Sequence, residues 1–183
     1  QEKLDGSCVA VALVEGVMHP LGRAGWSAAS SPYEQHKLFA QWVWAHEARF
    51  RAVLRNGERI VGEWLAQAHG TKYELGPREP FAAFDIMVAD QRLPLDEFVN
   101  RVGERFFRPH TLHDGAALPV SAAMALHQQQ CWPCDEIEGG VYRVERRGTV
   151  EFLAKYVRPD KVDGQYLPDV SGQPAVWNWR PDW

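Results

Sequence analysis

The chain has 183 residues, 45% of them apolar, and a formal charge of -4. That suffices for one domain with its own core and excludes a surface coated in positive potential; no apolar run is long enough to cross a bilayer. Its three cysteines do not make a disulfide scaffold, and with no secretory leader in view a thiol-reducing, cytoplasmic setting is expected.

The chain opens at Gln1 rather than Met, so a few residues are expected upstream. Glu2-Lys3-Leu4-Asp5-Gly6-Ser7 comes first. A lysine set among carboxylates and a glycine, opening a strand-like stretch, suits an amine that attacks. Taken alone, such a lysine is most simply a turn residue. Residues 7 to 14 alternate loosely and are rich in Val and Ala, which predicts a strand; Glu15-Gly16 turns it into a second one from Met18 to Arg23. Ser31-Pro32-Tyr33-Glu34 reads as a helix start, with Ser31 as cap, Pro32 first in the helix and Glu34 completing a capping box. The helix carries Phe39, Trp42, Val43, His46, Phe50, Val53 and Leu54 on one face and stops at Asn56-Gly57.

Arg59 to Ala68 reads as a strand and Phe81 to Val88 as a buried one. Leu95, Phe98, Val99, Val102 and Phe106 have helical spacing, and Ser121 to Gln129 reads as a further helix capped by Ser121. Gly140 to Arg146 and Thr149 to Val157 pair as a hairpin across Arg147-Gly148. The tail from Pro159 is rich in Pro, Gly, Asp and Trp and has little periodicity. Strands interleaved with helices and joined partly by hairpins give an α+β fold with mostly antiparallel sheets and packed helices.

Several clusters could carry chemistry. Cys131-Trp132-Pro133-Cys134 has half of a zinc-knuckle spacing, but no second pair follows, so thiols rather than a metal site are expected. The histidines show no ligand spacing, and His36 and His69 read as surface or packing residues. Arg143, Arg146, Arg147, Lys155, Arg158 and Lys161 crowd one late segment, either a solvated hairpin edge or a local groove for nucleic acid. Trp177, Trp179 and Trp183 lie in the tail, where they either dock on the domain or stack on bases.

Attack on an α-phosphate needs a nucleophile, cations for polyphosphate, carboxylates for metal and sugar, and a flat apolar surface for a base. Candidates for each occur in sequence: Lys3-Leu4-Asp5-Gly6, Leu21-Gly22-Arg23-Ala24-Gly25, Gly62-Glu63-Trp64, Phe81-Ala82-Ala83-Phe84-Asp85-Ile86, Glu138-Gly139-Gly140-Val141-Tyr142-Arg143 and Ala154-Lys155-Tyr156-Val157-Arg158. In this order they resemble the lysine-nucleotidyltransferase superfamily of polynucleotide ligases and capping enzymes, and within it the ATP-dependent RNA ligases of the phage T4 RNA ligase 2 type. Phe84-Asp85-Ile86 and the arginine twenty residues past Lys3 favour that branch. DNA ligases and capping enzymes usually carry K-x-D-G-x-R, and position 8 here is Cys.

The resemblance implies an ATP-grasp-like ligase adenylation fold over residues 1–161, with 162–183 as a Trp/Pro-rich tail. It implies ATP and Mg²⁺ (or Mn²⁺) as cofactors and RNA ends as partners. Lys3 would become joined to AMP, which would pass to a 5'-phosphate and be displaced by a 3'-hydroxyl. Asp5 would hold the lysine loop or a metal-bound water, and Arg23 a phosphate or strand end. Glu63 would accept the ribose hydroxyl or organise metal, and Phe84 would stack on adenine. Glu138 would coordinate metal, Lys155 would reach the α-phosphate, and Glu2 would lie along the adenine edge.

The last motif usually reads K-x-K, and Val157 stands where its second lysine would be; Arg158, Lys161 or Arg143 are the cations that could compensate. The residues after 161 are too few for an OB-fold or a helical C-terminal domain, so strand binding is expected to need an accessory domain or protein. The alternatives are a DNA ligase or capping-type nucleotidyltransferase, and a relative that binds nucleotide or RNA without catalysis.

Overall fold

The computed structural model describes residues 1–130 and 132–181; Cys131, Asp182 and Trp183 lie outside the described residues, and with them one half of the Cys-x-x-Cys pair and the last tail tryptophan. Among the described residues eight strands form two antiparallel sheets, in keeping with the α+β reading. The larger sheet contains β2 (Ser7–Val14), β3 (Val17–Gly22), β4 (Glu58–Trp64), β5 (Phe81–Val88) and β6 (Gln91–Arg92), in the order β3-β2-β4-β5-β6. The smaller contains β1 (Glu2–Lys3), β7 (Gly139–Arg146) and β8 (Thr149–Val157), in the order β1-β7-β8. The hairpins β2-β3 and β7-β8 turn on two residues at positive φ, Glu15-Gly16 and Arg147-Gly148, the twist that suits a two-residue connection.

Alternation along β2 and β4 sends Val9, Val11, Ile60 and Trp64 to one face of the larger sheet. There they pack with Phe39, Trp42, Val43, Phe50, Phe98 and Phe106 in one buried cluster. Cys8 and Glu63 point to the opposite face, as a period of two requires. Strand β5 breaks that period. Its register against β4 slips between Val61 and Gly62, so Val61 faces Asp85 while Gly62 faces Ala83, and Phe84 is left as an extra residue. The bulge puts Phe84 and Asp85 side by side on the face away from the core.

The helices depart from the sequence reading in definite ways. The long helix is two, α1 (Glu34–Ala45) and α2 (Glu47–Arg51), broken at His46. His46 has φ -114° and ψ 20°, and both its N–H, at 3.1 Å, and its Nδ1, at 2.7 Å, meet the Trp42 carbonyl. Tyr33 rather than Ser31 precedes α1 and makes no side-chain cap; Ser31 Oγ instead accepts the Tyr33 N–H at 3.2 Å and contacts His36 Nδ1 at 2.8 Å. Helix α3 (Leu95–Val102) stops before Phe106, which is buried beyond it. Ser121 lies inside α4 (Val120–Gln130), not ahead of it.

Strand β4 ends at Trp64, because the backbone beyond it pairs with the tail. Asn178 N–H donates to Ala66 O at 2.8 Å and Ala68 N–H to Val176 O at 2.9 Å. The tail also forms a short helix, α5 (Pro168–Ser171), and Trp177 and Trp179 pack against the core. Among the described residues no helix is long and apolar enough to cross a membrane.

Candidate active site

The coreless face of the larger sheet looks across at the smaller sheet, and between them lies a cleft of about 420 Å³, within the range of small-molecule pockets. Strand β1, only two residues long, reaches it because Lys3 pairs with Gly139 and Glu2 with Gly140 at the start of β7. That register sets Lys3 beside Glu138, and its Nζ forms an ion pair with Glu138 Oε2 at 2.6 Å. The lysine side chain is 20% exposed, the glutamate's 8%.

Glu63 comes to the same cleft from β4 and accepts the Gly6 N–H at 3.1 Å. Gly6 is required by close approach: a Cβ there would lie 2.5 Å from Trp64 O. Burial pushes the Glu63 carboxyl up to about 8, against the pull of Lys3 and with the repulsion of Glu138 and Asp5. The Glu138 carboxyl is also raised, first by burial, with Lys3 opposing. These groups sense one another as a single charged cluster.

Phe84 lines the cleft from the bulge, and Lys155 lines it from β8, where it is exposed. Among the described residues Lys155 forms no ion pair. Cys8 lines the cleft too, and burial raises its thiol to about 11, which makes it inert rather than nucleophilic at neutral pH. The cleft thus gathers Lys3, Glu63, Phe84 and Lys155, with Glu138 against the lysine.

The remaining candidates lie differently. Glu2 lines the cleft but is 2% exposed, and its carboxylate serves the backbone: His110 N–H donates to Oε1 at 2.8 Å and Trp132 N–H to Oε2 at 3.1 Å. Burial still lifts its carboxyl to about 7. Asp5 turns away from the cleft lining and accepts from Gly70 N–H at 2.8 Å and from Lys161 Nζ. Arg23 is exposed beyond β3 and does not line the cleft, although its charge reaches Cys8.

Of the three cations set against the missing lysine, Arg158 pairs with Glu136 and Asp160. Arg143 lines the cleft but is committed to Asp85 Oδ1 at 2.6 Å and to Glu145. Lys161 alone joins the cluster, its Nζ bonded to Asp5 and 3.7 Å from Glu138 Oε1.

The sequence reading gave Asp85 no role. It is 1% exposed and takes Arg143 from the smaller sheet and Arg92 Nε at 2.9 Å from the larger, so it ties the two sheets at one end of the cleft. A carboxylate beside Phe84 was the available signal, but strict alternation would have turned it to the opposite face from that ring.

The described residues contain no group of three or more His, Cys, Asp or Glu side chains set to hold a metal ion. Glu63 and Glu138 are hard oxygen donors, suited to Mg²⁺ shared with phosphate oxygens rather than to an all-protein cage.

Neither a curated protein nor a solved structure matches the chain. The model of the RNA ligase family matches residues 1–157, a span that takes in every cleft residue above and excludes the tail. The chain belongs to the RNA ligase family.

Proposed function

We propose that this protein is an ATP-dependent RNA ligase of the phage T4 RNA ligase 2 type, sealing a 3'-hydroxyl to a 5'-phosphate through a lysyl-AMP. The observation that carries the reading is the Lys3 amine, paired at 2.6 Å with Glu138, in the cleft that also holds Glu63, Phe84 and Lys155.

Lys3 Nζ gives up a proton to Glu138 Oε2 and thence to water, since a lysine at its usual pKa of about 10.4 is not a nucleophile at neutral pH. The amine attacks the α-phosphorus of ATP; the N–P bond forms, the bridging P–O bond breaks and pyrophosphate leaves. Lys155 offsets charge on the α-phosphate oxygens, and Phe84 offers its ring to adenine. Mg²⁺ or Mn²⁺, when bound, neutralises phosphate charge; Glu63 and Glu138 would hold it. AMP then passes to a 5'-phosphate, and attack by a 3'-hydroxyl releases it. Strand binding draws on Arg23, exposed beyond β3, and on an accessory domain or protein.

The test is incubation with α-labelled ATP and Mg²⁺. A label that stays on the protein through denaturing electrophoresis, and is absent from Lys3→Ala, supports the reading. Label from GTP instead favours capping chemistry, sealing of DNA but not RNA nicks favours a DNA ligase, and no label at all favours a relative that only binds.

A further inference from the structure

The segment matched by the family model ends at residue 157, yet the chain beyond it returns to the cluster. Residues 158–161 turn tightly, with Arg158 N–H on Glu138 O at 3.0 Å and Lys161 N–H on Arg158 O at 3.2 Å. The strap that follows is fastened to the loop around Gly70: Gln165 Nε2 donates to Gly70 O at 2.8 Å and Tyr166 N–H to His69 O at 2.8 Å. Lys161 is thereby driven inward until its side chain is 3% exposed. It passes so close to Gly70 that a Cβ there would lie 2.6 Å from Lys161 Cε. Its Nζ is bonded to Asp5, lies 3.3 Å from Thr71 Oγ1 and 3.7 Å from Glu138 Oε1.

Glu138 therefore stands between two ammonium groups, Lys3 on Oε2 and Lys161 on Oε1. Only Lys3 lines the cleft. We infer that Lys161 is a positioning residue for the adenylylation step, holding Asp5 and Glu138 in place and supplying their counter-charge once Lys3 has reacted. The inference rests on the proposed function.

Its reason is the charge balance of the step. Lys3 begins as an ammonium and ends as a neutral phosphoramidate nitrogen, its protons gone to water. Glu138 then loses the ammonium that faced its Oε2. A buried carboxylate without a partner is strongly unfavourable, so a fixed cation that stays beside Glu138 favours the adduct. Lys161 keeps its charge throughout. Strand β8 turns Lys155 to the cleft, where the proposed step uses it on the α-phosphate, and its position 157 is a valine that is 44% exposed.

Lys161→Met keeps most of the shape and removes the charge. The measurement is the internal equilibrium between enzyme with ATP and lysyl-AMP enzyme with pyrophosphate, read at fixed pyrophosphate, beside ATP affinity and thermal melting. The expected result is a fall in the adduct of roughly tenfold or more, with ATP affinity nearly unchanged; loss of packing alone would not move this ratio. Lys161→Ala is read in parallel with added ethylammonium or ethanol, and it serves if the Met variant does not fold. Restoration of the adduct by the cation but not by the alcohol supports the inference. A wild-type ratio in Lys161→Met, or equal adduct with ethylammonium and ethanol, overturns it. Wild-type protein that forms no adduct overturns the functional reading and this inference together.

Discussion

The two sheets that enclose the cleft are held together by different forces. The larger one has a dry side: Phe39, Trp42, Phe50, Trp64, Phe81 and Phe106 meet ring to ring with centroids 4.6–6.5 Å apart. The smaller one has no comparable core. Strand β8 is exposed or half-exposed along its whole length, and ions hold this side: Lys3 to Glu138 within the sheet, Arg143 to Asp85 across to the larger sheet, and Lys161 of the tail to Asp5 after β1. Apolar burial is indifferent to protons and ligands, whereas ion pairs respond to both. The larger sheet is the frame; the smaller sheet carries Lys3, whose charge would change in the proposed step, and the tail carries Lys161, which would keep its own. Substitutions on the two sides should therefore separate activity from stability.

The widest separation is expected from Lys3→Ala, which removes the proposed nucleophile. Lysyl-AMP formation should fall at least about a thousandfold, with the fold retained by circular dichroism. Its counterpart in the frame is Phe81→Ala. Phe81 is 1% exposed, and truncation should cost about 3–5 kcal/mol of unfolding free energy, seen in a urea titration. Residual folded protein should still label with ATP. A Phe81→Ala protein that is fully folded but inert would break the division between frame and chemistry.

Glu2 lies where the two meet, and pH can sharpen its part. Its carboxyl is raised from 4.5 to about 7 in the folded chain, so the folded state holds a proton that the unfolded state has lost. Its contribution to stability is therefore present below pH 4.5 and is lost as pH rises to about 7. Over that range Glu2→Gln, which does not titrate, should gain on the wild type by about 3 kcal/mol. Unfolding titrations at several pH values would show it; parallel pH profiles would place the group in water rather than under His110 and Trp132.

How much of this was legible in the chain depends on whether a residue announces itself locally. The strand from Phe81 to Val88 was read to the residue, because a short apolar run bounded by Pro80 and Ala89-Asp90 needs no partner to be recognised. Strand β1 was not, since two residues have no period and pair only because β7 lies beside them. The break at His46 was hidden inside an otherwise regular apolar stripe, since only its backbone angles depart from the helix. Lys3, Glu63, Phe84, Glu138 and Lys155 were singled out by order along the chain; the fold brings Lys3, Glu63, Phe84 and Lys155 to one cleft and sets Glu138 against Lys3. Asp85 was missed because the bulge overrides alternation, and Lys161 entered only as one of three cations because its placement depends on the strap around Gly70.

Phe84 is the next test, since it stands on the frame yet faces the cleft. It is half-buried and contributes to the cleft wall rather than to the aromatic cluster. Phe84→Ala should leave the unfolding free energy within about 1 kcal/mol and weaken ATP binding by roughly 1–3 kcal/mol, measured by calorimetry. A large stability loss with unchanged affinity would return this ring to the core.

The smallest effect is expected where the family pattern is restored. Val157 pairs with Gly139 and is 44% exposed, and by the period of β8 it shares a face with Lys155. Val157→Lys would complete K-x-K, but the new ammonium would stand largely in water, and the Glu138 and Asp5 carboxylates already have Lys161. An exposed charge of this kind is worth about 0–1 kcal/mol, so single-turnover adenylylation should rise by less than about fivefold, and less still at high salt. A gain well beyond that would mean that the strand, not the tail, is where this protein lacks a cation, and it would weaken the case for Lys161.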